Sequence, residues 1–206
     1  MLHRFLFCYQ LFYCEYNIIG EFMDYEILVN KDNTLNRSYV PDDLVEANSS
    51  YRDGILVNKF VLEQFNLMKL DALKLGFNID IMSGYRDYLY QDRIYNKLLK
   101  DKGFAYTFRS IAKPGCSEHQ TGLAIDICVY RDNKCYIEHE LEDMDEIMWV
   151  IDNCYKYGFI LRYPRGMEDI TGYNYEPWHF RYVGDIAKFL YENNILFDDY
   201  IINKKK

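Results

Sequence analysis

The chain of 206 residues has only four histidines, and two lie in segments crowded with other reactive side-chain types: Ser117-Glu118-His119-Gln120-Thr121-Gly122 and Glu176-Pro177-Trp178-His179. Between them stands Asp126, in a His-x6-Asp spacing from His119. Imidazole and carboxylate are the donors a catalytic zinc ion takes, commonly three from the protein with the fourth position left to water. His119, Asp126 and His179 supply such a set for one ion. The attacking water still needs a base, and Glu176, close to one candidate ligand yet on its own side chain, has the chemistry for it. Pro177 cannot donate to a strand ladder, so Glu176 is freed from the parity of the strand that follows. The competing reading is structural, because a single histidine near a strand start more often serves packing and the His-x6-Asp spacing is weak by itself.

These residues need elements to hold them. Leu123, Ile125, Ile127 and Val129 share one face of a predicted strand, which leaves Ala124, Asp126 and Cys128 on the other and surrounds Asp126 with small neighbours. Trp178, Phe180 and Tyr182 alternate with His179, Arg181 and Val183, placing His179 opposite the aromatics. Asn78–Met82 reads as a strand running into the turn Ser83-Gly84-Tyr85-Arg86, which opens a helix with Tyr90, Ile94 and Leu98 on one face. From about Leu56, the apolar residues Val57, Phe60, Val61, Phe65, Met68, Ala72 and Leu75 recur at helical spacing, and Gly76 can cap the end. Met144, Ile147, Met148, Ile151 and Tyr155 predict a further helix ended by Gly158, and Ile186, Leu190 and Tyr191 a last one. Ile27–Val29 reads as a short strand. The pattern predicts a single α+β domain with a central, mainly antiparallel sheet flanked by helices. Its expected bounds are residues 25–196, between an N-terminal extension (1–24) and a C-terminal tail (197–206).

Composition narrows the partners. A formal charge of -8 without a basic stripe excludes nucleic acid. Six cysteines show no CxxC or Cys/His spacing for structural zinc, and a domain of this size does not need disulfides, so reduced thiols are expected. The aromatic and Leu-rich stretch from Met1 to Met23 is interrupted by Gln10, Glu15 and Asn17 and lacks a small-residue cleavage site. No stable membrane span is therefore expected. A cytoplasmic monomer is the expectation, with the cell envelope as the alternative should that stretch act as an anchor.

Three ordered motifs carry a resemblance. Ser83-Gly84-Tyr85-Arg86 with Gln91, then Ser117 through Asp126, then Glu176-Pro177-Trp178-His179-Phe180-Arg181-Tyr182-Val183-Gly184 closely resemble the VanY-type D-alanyl-D-alanine carboxypeptidases, over roughly Tyr25 to Asn194. The resemblance implies the small α+β zinc fold shared by lysostaphin-like peptidases, D-Ala-D-Ala peptidases and the hedgehog domain. By matching position it implies zinc ligands at His119, Asp126 and His179, the catalytic carboxylate at Glu176, and a substrate-contacting arginine at Arg86. Gln91 and Ser117 match polar residues that hold the D-Ala-D-Ala end. The implied activity is hydrolysis of the terminal D-Ala-D-Ala bond of peptidoglycan stem peptides or their precursors. A D,D-dipeptidase, an L,D-carboxypeptidase, an endopeptidase or a non-catalytic zinc module of the same fold are the alternatives. Cys116 is a departure: a thiol three residues before His119 could reach the metal.

Overall fold

A computed structural model describes residues 24–205. The N-terminal stretch with Cys8 and Cys14 lies outside the described residues. A two-stranded antiparallel sheet, β1 (Leu44–Glu46) and β2 (Leu56–Asn58), precedes α1 (Lys59–Lys74). Then follow β3 (Asn78–Ser83), α2 (Tyr88–Lys102), α3 (Phe104–Ser110), a 3-10 turn at Glu118–Thr121, β4 (Ala124–Arg131) and β5 (Lys134–Tyr136). The chain continues through a second 3-10 turn at Glu138–Leu141, α4 (Asp145–Asn153), β6 (Phe159–Leu161), α5 (Glu168–Thr171), β7 (His179–Tyr182), α6 (Ile186–Asn193) and α7 (Phe197–Lys204). The main sheet runs β3-β4-β7-β6, with β5 on the far half of β4, and every pairing is antiparallel. This is the expected α+β architecture.

Strand β4 is central because both its faces are in use. Leu123, Ile125, Ile127 and Val129 are at most 1% exposed and pack on the buried side of α1, formed by Val61, Phe65, Met68 and Ala72, and on Ile147 and Val150 of α4. Burying each such side chain contributes roughly 1.5–3 kcal/mol, which fixes the strand's register by fixing which face is greasy. The opposite face carries Asp126. Helix α1 begins two residues later than its apolar period alone indicates, because Leu56–Asn58 pairs as β2 and the Asn58 side chain caps the helix by accepting from Phe60 N.

Three expectations are revised. Ile27–Val29 is not a strand: the carbonyls of Tyr25 and Ile27 accept instead from the buried Arg181 guanidinium. On α2 the buried positions are Gln91 and Tyr95, whereas Tyr90 is exposed, so the inner face is turned by one residue from the predicted one. The residues from 197 onward, expected as a tail, form helix α7, whose Phe197 and Ile201 close a second apolar cluster with Leu28, Val183, Ala187 and Leu190. Residues one helical turn apart share a face, and two apolar side chains suffice when a complementary groove awaits them. Near the N-terminal end of the described chain, the Lys31 ammonium donates to the carbonyls of Phe108 on α3 and Gly172 just after α5, between the Phe108 and Tyr173 rings.

Candidate metal centre and active site

Sheet register brings the first two donors together. Asp126 and His179 are directly opposed on β4 and β7, so their side chains emerge on the same face. The Asp126 Oδ1 lies 3.0 Å from His179 Nδ1. His119 reaches the same point from the 3-10 turn before β4, with Nε2 3.2 Å from Asp126 Oδ2. One ligand atom from each of the three residues lies within 4.8 Å of the others, and all three residues are buried.

The remaining atoms of each ring are held from behind. His119 Nδ1 is 2.6 Å from the Gly84 carbonyl, which can only accept, so Nδ1 carries the proton and Nε2 keeps its lone pair toward the centre. Gly84 can do this because it has no side chain: a Cβ there would sit 2.2 Å from the Leu56 carbonyl. Gly122, at φ +72°, ends the His119 turn where Leu44 and Pro41 press close. His179 Nε2 faces Glu118 Oε2 at 3.6 Å, and its ring packs against Tyr163. The atoms that converge, and that could hold a metal ion, are thus His119 Nε2, an Asp126 oxygen and His179 Nδ1.

Charge at the site follows from burial and neighbours. Burial alone would raise the Asp126 carboxyl, but His119, His179 and Arg86 around it hold it well below the usual range. Burial and the Arg86 guanidinium lower His119 to about 4, so it is neutral and able to ligate. Burial also works to lower His179, yet its hydrogen bond to Asp126 and the nearby Glu118 carboxylate prevail and raise it to about 9 in the metal-free protein. Glu176 Oε2 is 3.8 Å from His179 Nδ1, and burial pushes its carboxyl up to about 8. Among the described residues His119 Nε2 has no hydrogen-bond partner despite its depth. A buried nitrogen without a partner is costly, and a two-histidine, one-carboxylate set with an adjacent acid fits zinc.

The centre opens into a cavity of about 260 Å³ whose walls include Arg86, Ser117, Tyr106, Tyr173, Trp178 and Glu138. Arg86 Nη1 lies 3.7 Å from Asp126 Oδ2, brought there by the strand-to-helix turn after β3. Ser117 faces the cavity. Gln91 does not: its Nε2 donates to the carbonyl of Ala112, 2.7 Å away, and Ala112 forms the wall. Cys116 is buried in a separate depression with Lys31, Phe108 and Lys113, and is outside the ligand cluster. His139 is exposed at the rim, bonded to Glu142 with its ring edge-on to Trp178. Sequence reading passed over Glu118, Tyr163 and Tyr173. Glu118 was within reach of it, lying inside the motif beside His119, whereas the tyrosines come from a loop with no periodic pattern.

Residues 54–185 match the family model described as VanY: D-alanyl-D-alanine carboxypeptidase. The chain is 40% identical over 185 residues to the putative carboxypeptidase YodJ of Bacillus subtilis (strain 168), covering 87% of this chain and 67% of that one. It is 39% identical over 159 residues to the bifunctional D-Ala-D-Ala dipeptidase and D-Ala-D-Ala carboxypeptidase VanXYC of Enterococcus gallinarum, covering 76% and 82%. Among solved structures it resembles the LdcB LD-carboxypeptidase, with a TM-score of 0.78 at 39% identity over 86% of this chain and 85% of that one. It also resembles a vancomycin-resistance D,D-pentapeptidase VanY variant in complex with Zn(II), with a TM-score of 0.74 at 29% identity over 86% and 98%.

Proposed function

The chain belongs to the VanY family of D-alanyl-D-alanine carboxypeptidases, and from that premise we propose that it removes the terminal D-Ala of peptidoglycan stem peptides or their precursors with one zinc ion held by His119, Asp126 and His179. The observation that carries this reading is the convergence of three buried donor atoms beside a glutamate that is only partly exposed and has a raised carboxyl. Zinc bound there supplies a Lewis acid for the peptide carbonyl, a more acidic water, and a positive charge that draws the Glu176 carboxyl back to its ionised form. Glu176 takes the proton of the attacking water and returns it to the departing D-Ala amine. Arg86 donates to the negative charge that develops on the carbonyl oxygen or to the terminal carboxylate, for either of which a planar, permanently charged fork is suited. Ser117 lines the subsite for the terminal D-Ala, and Gln91 shapes it through the Ala112 carbonyl.

The likeness to LdcB favours one second reading, cleavage of an L,D bond in the same cavity. Release of D-Ala by zinc-loaded protein from free D-Ala-D-Ala, a muramyl pentapeptide and a muramyl tetrapeptide, each with a chelated control, separates the two. Chelator-sensitive cleavage of the pentapeptide is the expected result, and cleavage of the free dipeptide would add cytoplasmic precursors as substrates. Turnover of the tetrapeptide alone would replace the D,D reading with the L,D one. No helix among the described residues is long and apolar enough to cross a membrane.

A further inference from the structure

Four charged residues far apart in sequence meet under the metal centre: Glu118, Arg162, Arg181 and Asp198, none more than 3% exposed. Such side chains are almost never fully buried unless paired. Buried ion networks add little net stability, since apolar residues of similar volume often do as well. Stability is therefore a poor explanation for this one, and its direction offers a better one.

Asp198 on α7 grips Arg162 with both oxygens, Oδ2 2.6 Å from Nη1 and Oδ1 3.1 Å from Nη2. Asn30 donates to the same Oδ1. Arg162 Nε then donates to Glu118 Oε1 at 2.8 Å, and Arg181 Nη1 lies 3.0 Å from that same oxygen. Phe197, beside Asp198, lies against both guanidinium groups. Two cations thus hold one oxygen of Glu118, and they keep its carboxyl ionised against the pull of burial. The other oxygen, Oε2, is turned to His179 Nε2, 3.6 Å away, and among the described residues neither of these two atoms has a hydrogen-bond partner.

We propose that Glu118 is a positioning residue for the metal centre, fixing the ring and tautomer of His179 through Nε2–H, and that Asp198 on the C-terminal helix sets Glu118 through Arg162. The inference rests on His179 being a zinc ligand. A carboxylate behind a ligating histidine holds the ring in register and makes the ligating nitrogen more basic, and losing it typically weakens metal binding about 10–100-fold. The present 3.6 Å separation is slightly beyond a hydrogen bond. With no other acceptor beside Nε2, a small ring rotation completes the bond.

The test is zinc affinity by competition with a chromophoric chelator, together with the visible absorption of the cobalt-substituted protein. Variants are Glu118→Gln and Asp198→Asn, both nearly isosteric, with exposed Asp199→Asn as the helix control. The expected result is a zinc Kd raised about 10–100-fold for Glu118→Gln and about tenfold for Asp198→Asn, each with a changed cobalt spectrum, while Asp199→Asn matches wild type. A purely structural network would lower the melting temperature but leave the Kd and the cobalt spectrum unchanged, and that outcome overturns the inference. Should a variant fail to fold, the zinc-loaded wild type decides: a protected imidazole proton on His179 Nε2 in nitrogen-15 spectra supports the proposal, and a bare Nε2 overturns it. A wild type that binds no zinc would instead remove the metal-centre reading itself.

Discussion

Asp126 and His179 are cross-strand partners whose Oδ1 and Nδ1 lie 3.0 Å apart. Their meeting is a property of register: one residue of slip between β4 and β7 would turn either side chain into the apolar core. The same packing that hides Leu123, Ile125 and Ile127 therefore places both donors, and the site inherits the rigidity of the sheet.

Glu176→Gln separates binding from chemistry. The variant should retain one zinc per chain by atomic absorption, because no ligand is touched, while kcat falls about 10²–10⁴-fold, the usual contribution of a general base. His119→Ala should lose zinc and activity together. Near-wild-type turnover in Glu176→Gln would remove the glutamate from its proposed role.

Arg86→Ala should lower kcat/KM about 10²–10³-fold, the scale of losing one donor to developing charge. Replacing the substrate's terminal carboxylate by an amide tells which task the guanidinium performs. If Arg86 binds that carboxylate, the amide penalty of the wild type disappears in the variant; if it serves the oxyanion, the penalty persists.

Gly84→Ala should be severe although no functional group is lost. The added Cβ would meet the Leu56 carbonyl at 2.2 Å and the Val57 side chain at 2.6 Å, so the turn that presents its carbonyl to His119 must move. Overpacking of this kind costs about 1–3 kcal/mol, read as a lower denaturant midpoint, and zinc affinity should drop with it.

Removing zinc should make stability pH-dependent in a defined direction. In the metal-free protein His179 stands at about 9, raised from its ordinary 6.5, so its stabilising contribution is complete below pH 6.5 and is lost as pH rises to about 9. Glu176, raised from 4.5 to about 8 by burial, acts in the same sense over its own range. The melting temperature of chelated protein should therefore fall between pH 6.5 and 9, and its gap to the zinc-loaded protein should widen. A gap that stays constant with pH would contradict these protonation states.

Local pattern carried much of this structure. Alternation along 123–129 placed Asp126 away from the core, and alternation along 178–183 placed His179 opposite Phe180, as the structure has them. What alternation cannot contain is which strand lies beside which, so the Asp126–His179 pairing is visible only in the fold. Glu118 stood inside a motif yet looked blank, because its partners Arg162 and Arg181 are 44 or more residues away. Helix α7 was missed because Phe197 and Ile201 make too short a period to register without the groove they fill. The strand expected at Ile27–Val29 failed for a related reason, since a distant guanidinium took the Ile27 carbonyl that a ladder could have used.

Lys31 has a dynamic consequence. Its single ammonium fastens the Phe108 carbonyl to the Gly172 carbonyl, and the segments just beyond each supply Ser110, Ile111 and Tyr173 to the cavity. Two walls without sequence continuity thus breathe as one unit: amide hydrogens at the ends of α3 and α5 should exchange with a common opening free energy. One flexible side chain of four methylenes thus ties together two segments that border the cavity from opposite parts of the sequence.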